Sequence, residues 1–276
     1  VWDDERSELW LARDRFGEIP VYYGWHKGVF LFASELKALR AAPGFDPEID
    51  PRSLQEYFRW TYLPAPLTIY EGVRKLPPAH FLHMDSDSAK CSVQPYWLAA
   101  EAMESTPSLS CGADAVECLG DVLDRAVAAQ MVADVPLGAF LSGGIDSSSV
   151  VASMQRHSSV PIQTFTVGFS ESDYDESRYA AEVAEVLGTD HTELILSPDE
   201  AMRVIPSLPT IYDEPFADSS AVPTFLLARE TRRHVTVALS GDGADEVFGG
   251  YRKYQGELMA ARYRALPAWL RRDLIE

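Results

Sequence analysis

Short aromatic and aliphatic runs recur in the first part of the chain, and such runs are typical of β-strands. Two of them, at residues 8–13 and 21–25, are separated by a turn that contains Gly and Pro at 16–20. Residues 26–28, His-Lys-Gly, predict a hairpin turn into a third run at 29–32. The chain is therefore predicted to begin with β structure joined by tight turns.

Helical signals and prolines then interrupt this pattern. Helices are predicted near Ser34 and after Asp50, a capping candidate that precedes a proline at the first helical position. Prolines recur between Leu63 and Pro78, which predicts an ordered but irregular surface segment. Residues 101–112 are small and polar without periodicity, so we place a domain boundary there.

Strands and helices alternate in the second half. Asp114 is a candidate N-cap for a helix whose apolar positions recur every three or four residues: Val116, Leu119, Leu123, Val127 and Met131. Cys118 lies on the same predicted stripe and is expected in the core. Strand candidates at 136–141, 163–169, 192–196 and 235–239 alternate with helix candidates at 148–154, 177–187 and 221–233. This alternation predicts a parallel α/β sheet with helices on both faces.

Composition excludes several classes of protein. With 46% hydrophobic residues the chain is not largely disordered, and it has no apolar run long enough to span a membrane. The formal net charge of −18 disfavours binding to phosphate backbones, so nucleic acid is not expected as a partner. Because no long apolar run is present, a membrane is not expected as a partner either. Its cysteines, Cys91, Cys111 and Cys118, are sparse and odd in number, which favours a reducing cytoplasm.

Residues 141–148, Leu-Ser-Gly-Gly-Ile-Asp-Ser-Ser, form the most informative segment, between a predicted strand and a predicted helix. Gly143 and Gly144 allow backbone N–H groups to turn toward an anion, and the helix offers its positive N-terminal end. Hydroxyl groups add further donors: Ser142, Ser147 and Ser148. Asp146 would repel phosphate unless a cation lies between them, so it implies Mg²⁺. The alternative interpretation is a glycine turn that caps a helix.

This segment resembles the pyrophosphate loop of the ATP pyrophosphatases, which adenylate a substrate and release pyrophosphate. That group includes GMP synthetase, NAD synthetase, tRNA-thiolating enzymes, asparagine synthetase and β-lactam synthetase, and the loop does not distinguish them. A second segment distinguishes them: residues 240–251 read Ser-Gly-Asp-Gly-Ala-Asp-Glu-Val-Phe-Gly-Gly-Tyr. These residues are similar to the signature of asparagine synthetases. The alternative interpretation, a solvated acidic turn, explains the acidic residues but not Phe248 and Tyr251.

The resemblance implies roles for individual residues. Pyrophosphate and ATP would contact the first loop, the strand residue Val167 and the start of the second loop: Leu141, Ser142, Gly143, Gly144, Asp146, Ser147, Ser240 and Gly241. Asp242 would support formation of the acyl-adenylate, and Asp146 and Asp245 would hold Mg²⁺. Residues 164–169 are equally explained as a core strand.

Further segments carry the same resemblance. Asp218, Ser219 and Glu246 would face the substrate, and an acidic segment with Asp173, Asp175 and Glu176 precedes Arg178, as in the family. His191 lies where the family often has paired histidines, although a surface histidine is the simpler interpretation.

Residues 13–23 and 32–39 resemble the later part of the family's glutaminase domain. In that family Arg13 and Asp14 would brace the glutamine site, while a cysteine at the mature N-terminus attacks the glutamine amide. This sequence begins with Val1 and has no cysteine before Cys91. We therefore expect an internal portion of a longer protein that does not hydrolyse glutamine by itself.

Together these features predict an α/β fold with an α+β N-terminal part. Residues 1–100 would form part of an N-terminal-nucleophile glutaminase sandwich, 101–112 a linker, and 113–276 the first part of a parallel-sheet ATP-pyrophosphatase domain. The hypothesis is asparagine synthesis from aspartate and glutamine or ammonia, with ATP and Mg²⁺, through β-aspartyl-AMP, in a cytoplasmic protein that could form a homodimer. The alternatives are a related amidotransferase, a β-lactam synthetase-like enzyme or a non-catalytic nucleotide-binding remnant.

Overall fold

The computed structural model describes residues 1–86, 88–105, 112–169, 177–268 and 271, and it divides the chain into two compact units. The first unit comprises Val1–Ser110 and Met202–Val222, and the second comprises Cys111–Ala201 and Pro223–Glu276. The segment Met202–Val222 thus belongs to the first unit although strands of the second unit precede and follow it in the sequence. The predicted domain bounds, 1–100 and 113–276, stay predictions.

The described strands form three sheets. The first unit holds β1 (Trp2–Asp3), β2 (Glu8–Ala12), β3 (Tyr22–His26), β4 (Val29–Ala33), β5 (Val73–Lys75), β6 (His80–Asp85) and β7 (Lys90–Pro95). They pair antiparallel in a four-stranded sheet, β1-β2-β6-β7, and a three-stranded sheet, β4-β3-β5. The second unit holds β8 (Leu137–Phe140), β9 (Gln163–Phe169), β10 (Asp190–Leu196) and β11 (Val237–Leu239).

The helices follow in chain order. They are α1 (Leu36–Arg40), α2 (Pro51–Trp60), α3 (Ala99–Ser105), α4 (Ala113–Gln130), α5 (Ile145–His157), α6 (Ser177–Leu187), α7 (Pro198–Val204), α8 (Leu208–Ile211), α9 (Ala221–Thr231), α10 (Ala244–Phe248) and α11 (Arg252–Ala265), with a 3₁₀ turn at Ile205–Ser207. Among the described residues no helix is both long enough and apolar enough to cross a membrane.

The core of the first unit lies on both faces of β3. Because side chains alternate along a strand, Tyr23 packs with Leu9 and Leu82 between the two antiparallel sheets, whereas Tyr22 faces the helices with Leu36 and Leu63. Both clusters are built from strand and loop residues far apart in the sequence. The predicted β structure of this part of the chain is confirmed.

The predicted helix after Asp50 is confirmed, since its carboxylate accepts a hydrogen bond from Arg52 N at 2.9 Å and caps α2. The prediction of a surface segment between residues 63 and 78 is wrong. Leu63, Ile69 and Leu76 are buried there because the prolines break regular structure without removing the apolar residues between them from the core.

The second unit is built on one parallel sheet in the order β10-β9-β8-β11, which confirms the predicted parallel α/β architecture. The chain runs from β8 outward to β9 and β10, then returns to place β11 on the other side of β8. The strand order therefore reverses between β8 and β11. In open parallel sheets, ligands bind outside the carboxyl ends of the strands at such a reversal.

The core of this unit holds one half of α4 and leaves the other half exposed. Val127 is buried against Leu141 and Met154, with Leu123 and Met131 packed beside them, but Val116 is 72% exposed. The prediction that Cys118 is a core residue is therefore wrong, since its helical turn lies outside the packed part. The predicted cap is also wrong: α4 begins after Gly112, and Asp114 lies in its first turn.

Candidate active site

A cavity of about 340 Å³ opens at the carboxyl edge of the parallel sheet, where β8 and β11 end side by side. Two loops border it: residues 141–144, between β8 and α5, and residues 240–243, between β11 and α10. Residues of β9 and α9 also contribute to its lining. The complete lining consists of Phe140, Leu141, Ser142, Asp146, Ser147, Phe165, Thr166, Val167, Thr224, Leu227, Ser240, Gly241, Asp242 and Asp245.

The first loop is held by its own serines and by a glycine that no other residue can replace without strain. Gly143 has a φ of +76°, and a Cβ there would lie 2.6 Å from Ala180 N at the start of α6. Ser147 Oγ accepts a hydrogen bond from Ser142 N at 3.1 Å and lies 2.9 Å from Ser142 Oγ. The loop therefore keeps a fixed shape at the N-terminus of α5.

The second loop is ordered by contacts around its carboxylates. Ser240 Oγ donates to Asp242 Oδ2 at 3.0 Å, and Gly249 N and Gly250 N donate to Asp245 O. A Cβ at Gly250 would collide with the Asp245 carboxylate. These contacts fix the backbone on both sides of Asp245.

Beyond the cavity lining, Tyr251 OH donates to Glu246 Oε1 at 2.8 Å. This hydrogen bond and the nearby negative charge raise the pKa of Tyr251 to about 12. Glu246 itself is exposed and does not line the cavity.

The cavity is acidic and suits a metal–phosphate ligand. Asp146, Asp242 and Asp245 line it, and the described lining residues include no lysine, arginine or histidine. Neighbouring carboxylates would repel a polyphosphate, so its binding requires a cation. Among the described residues no three His, Cys, Asp or Glu side chains form a metal-binding cluster. Mg²⁺ in phosphate sites typically takes one or two carboxylates and completes its octahedron with phosphate and water, which fits this donor set.

The structure brings most of the predicted site residues together. Nine of them line the cavity: Leu141, Ser142, Asp146, Ser147, Val167, Ser240, Gly241, Asp242 and Asp245. Gly143 and Gly144 lie in the first loop but outside the lining. Their roles in binding or catalysis stay predictions. Asp218 and Ser219 belong to the first unit, and Asp173, Asp175 and Glu176 lie outside the described residues.

Sequence reasoning missed five lining residues: Phe140, Phe165, Thr166, Thr224 and Leu227. Phe165 and Thr166 precede Val167 in the predicted strand, so the strand itself was a signal for them. Thr224 and Leu227 lie three residues apart on α9, which is the spacing of one helix face, but the sequence does not show that this face meets the loops.

His191 is not the surface residue that the simpler interpretation predicts. Its side chain is half-buried, and Nδ1 lies 2.9 Å from Thr164 Oγ1 on the neighbouring strand. Burial lowers its pKa, an effect that Glu193 partly opposes. Within the described part of the chain, His191 Nε2 is buried without a hydrogen-bond partner.

Arg13 and Asp14 of the first unit hold a turn together. The Arg13 guanidinium donates to the carbonyls of Gly17, Ile19 and Leu76, at 2.6–3.1 Å. Asp14 accepts from backbone N–H groups of its own turn, which lower its pKa against the opposing effect of desolvation. These contacts are those of a scaffold, and any role in bracing a glutamine site stays a prediction.

Comparisons with known proteins agree with this architecture. Residues 119–275, more than half of the chain, match the family model for asparagine synthase, and residues 1–97 match that for a glutamine amidotransferase domain. A glutamine-dependent NAD⁺ synthetase from Acinetobacter baumannii, solved with ADP, aligns over 84% of this chain and 52% of its own with a TM-score of 0.35 and 15% identity. Those last values are too low to support an inference.

Curated relatives align along the entire chain. A Mycobacterium tuberculosis protein, named provisionally as a glutamine-hydrolysing asparagine synthetase, is 40% identical over 99% of the chain. Glutamine-hydrolysing asparagine synthetase 1 from Bacillus subtilis is 36% identical over 100% of it, and amidase chry2 from Gibberella zeae is 32% identical over 98%. The chain spans 42% of the length of each of these relatives. On the strength of the family match, the chain belongs to the asparagine synthase family.

Proposed function

We propose that the protein to which this chain belongs synthesises asparagine from aspartate, ATP and glutamine or ammonia. The observation that carries the proposal is the pairing of two loops at one cavity: a serine- and glycine-rich loop after β8 and a carboxylate-bearing loop after β11. The first loop suits a pyrophosphate group, and the second supplies the acids that a metal–phosphate complex needs.

The chemistry proceeds by adenylation. The β-carboxylate of aspartate attacks the α-phosphorus of ATP, the bond between the α- and β-phosphates breaks, and pyrophosphate leaves. Ammonia then attacks the acyl carbon of β-aspartyl-AMP and displaces AMP. The N–H groups and hydroxyls of residues 142–147 stabilise the charge that develops on pyrophosphate, because they are fixed before the reaction begins.

Asp146 and Asp245 would hold Mg²⁺ against the pyrophosphate. When bound, the ion supplies positive charge that offsets both the carboxylates and the leaving group. Asp242 lies in the same cavity, where it would support acyl-adenylate formation, and Val167 would meet the adenine through its backbone. Contacts of Asp218, Ser219 and Glu246 with the amino-acid substrate belong to the same proposal.

The amidotransferase match of residues 1–97 supports glutamine as the ammonia source in the entire protein. We assign residues 1–100 to that domain and 113–276 to the synthetase domain, joined by 101–112. The proposal places the protein in the cytoplasm, in keeping with the free cysteines Cys91 and Cys118, and allows a homodimer.

Calorimetric titration of this chain with ATP in the presence of Mg²⁺ tests the nucleotide site. We expect saturable one-to-one binding that weakens when EDTA removes the metal. No heat of binding under either condition would favour a non-catalytic remnant. In the intact protein, aspartate-dependent exchange of pyrophosphate into ATP tests the acceptor.

A second candidate is a related amidotransferase or β-lactam synthetase-like enzyme that adenylates another carboxylic acid. The protein named as an amidase is 32% identical to this chain, and the chain spans 42% of it, as it does of asparagine synthetase 1 from Bacillus subtilis. Relatives of that length therefore include proteins with other names, which supports this candidate. Pyrophosphate exchange that depends on a different acid, with none on aspartate, would select it.

A further inference from the structure

A segment of the synthetase family match folds as part of the unit that contains the amidotransferase match. Met202–Val222 lies inside residues 119–275, yet it clusters with residues 1–110. Polar contacts join this segment to α1, to β5 and to the loop between α2 and β5. One residue of the amidotransferase match, Lys75, contributes a largely buried ion pair to these contacts.

Lys75 is held on several sides. Its ammonium group lies 2.5 Å from Glu214 Oε2, and the two side chains are 13% and 10% exposed. The same group donates to Leu63 O at 2.6 Å and lies 6.0 Å from the centre of the Tyr22 ring. An ion pair with this many partners has a single geometry.

Glu214 uses both of its carboxylate oxygens. Oε2 meets Lys75, and Oε1 accepts a hydrogen bond from Ile69 N at 3.0 Å. Burial raises the pKa of Glu214, and its partners Lys75 and Ile69 oppose that shift. The residue is therefore oriented by two contacts that lie 139 or more positions earlier in the sequence.

The contacts continue along the segment on both sides of Glu214. Asp213 accepts a hydrogen bond from Lys37 N at 3.1 Å, and Ala217 N donates to Thr61 O at 2.9 Å. Asp218 then accepts from Ser220 N at 2.8 Å, one residue before α9 begins. Residues 213–220 are thus held by contacts within the first unit, from Lys75 and its neighbours up to the residue before α9 begins.

We propose that Lys75 is a positioning residue whose ion pair with Glu214 holds residues 214–220 in the conformation that presents Asp218 and Ser219 to the amino-acid substrate. This inference rests on the proposed function and adds to it a control exerted by the amidotransferase-family sequence. A buried ion pair contributes little net stability, because desolvation of both charges offsets their attraction. Its directional contacts, in contrast, select one conformation of the segment.

Hydrogen exchange of the complete chain tests the positioning directly. In Lys75→Met we expect the Ile69 and Ala217 amides to exchange about tenfold faster, with Leu11 and Leu82 in β2 and β6 changed by less than about twofold. Lys75→Arg, which keeps the charge, should restore most of the protection. Lys90→Met, at an exposed lysine of β7, is the matched control and should change neither amide.

Should Lys75→Met fail to fold, Glu214→Gln carries the test. It keeps an acceptor for Ile69 N while it removes the carboxylate charge, so the Ala217 amide should lose protection more than the Ile69 amide. Uniform acceleration across the first unit would show a merely structural role, and unchanged exchange at Ala217 in every folded variant would also overturn the proposal.

Kinetics separate this inference from the proposed function. In the intact protein, Lys75→Met or Glu214→Gln should raise the KM for aspartate about tenfold in pyrophosphate exchange and change the KM for ATP by less than about twofold, whereas Lys75→Arg should leave both constants close to their native values. Equal changes in both constants would contradict the positioning role. If the unsubstituted protein shows no exchange with aspartate, the proposed function fails, and the hydrogen-exchange result alone decides whether Lys75 positions the segment.

Discussion

Gly241 lies against the backbone of Ser147: a Cβ at Gly241 would be 2.8 Å from Ser147 N and 3.1 Å from Asp146 C. The second loop therefore approaches the first turn of α5 more closely than any side chain allows. This contact joins the two loops of the candidate active site, and it connects residues 94 positions apart in the sequence.

Gly241→Ala should weaken binding of ATP in the presence of Mg²⁺. Overpacking at a tight contact costs about 1–3 kcal/mol, which corresponds to roughly 5- to 150-fold in the dissociation constant if the loops move apart. Titration calorimetry measures the dissociation constant of ATP in the native chain and in the variant. Gly256→Ala is the control, since nothing lies within 4 Å of that position in α11 and alanine favours the helix. Equal affinities in the two variants would show that the contact does not shape the site.

Asp146→Asn should weaken ATP binding only when the metal is present. With Mg²⁺, loss of a carboxylate ligand should weaken ATP binding by about 10- to 100-fold. With EDTA, removal of one negative charge from an acidic cavity should leave ATP binding unchanged or slightly stronger. Asp121→Asn, on the exposed surface of α4, should change neither value. A loss of affinity that is the same with and without Mg²⁺ would argue against Asp146 as a metal ligand.

Asp124 should make the second unit sensitive to acid. Hydrogen bonds from Ser153, Arg156 and His157 on α5 hold the pKa of Asp124 well below its ordinary value of 3.8. Because the folded state binds this proton less readily than the unfolded state, the stabilisation is present above pH 3.8 and is lost as the pH falls below it.

The measurement is urea unfolding from pH 7 down to pH 2.5 in the native chain and in Asp124→Asn. We expect the variant to be less stable at neutral pH and to show a shallower decline in acid. The matched control, Asp121→Asn on the same helix, should follow the native curve. A variant curve that runs parallel to the native one would contradict this assignment.

Tyr251 should titrate near pH 12 in the folded chain, because its hydroxyl donates to Glu246. The ¹³Cζ resonance of Tyr251, assigned by its absence in Tyr251→Phe, reports this ionisation. Glu246→Gln should lower the midpoint toward 10, whereas Glu257→Gln on α11 should not. Since the folded pKa is the higher one, the contribution of this hydrogen bond to stability declines as the pH rises above 10. An unchanged midpoint in Glu246→Gln would exclude the hydrogen bond as the cause.

Much of the second unit could be predicted from the sequence because its signals are local. Glycine spacing, serine and aspartate identity and the alternation of strands and helices predicted both loops and the parallel sheet. The first loop needs glycine where its φ is positive, and this requirement is visible at Gly143 in the sequence alone. The family resemblance then followed from the second loop.

Other features could not be predicted, since they depend on which surfaces meet. Cys118 and Val127 share one predicted apolar stripe, yet only Val127 is buried, because the core covers only part of α4. His191 looks like a polar surface residue until its strand pairs with β9 and brings it to Thr164.

The sequence by itself determined that the chain is α/β, which family it resembles and which loop residues are chemically suited to phosphate and metal, because those properties depend on residue type and short spacing. Only the tertiary structure decided that Met202–Val222 folds with the first unit and that Lys75 pairs with Glu214. A contact between residues 139 positions apart leaves no periodic pattern in the sequence, because it forms only when folding buries two oppositely charged side chains beside each other.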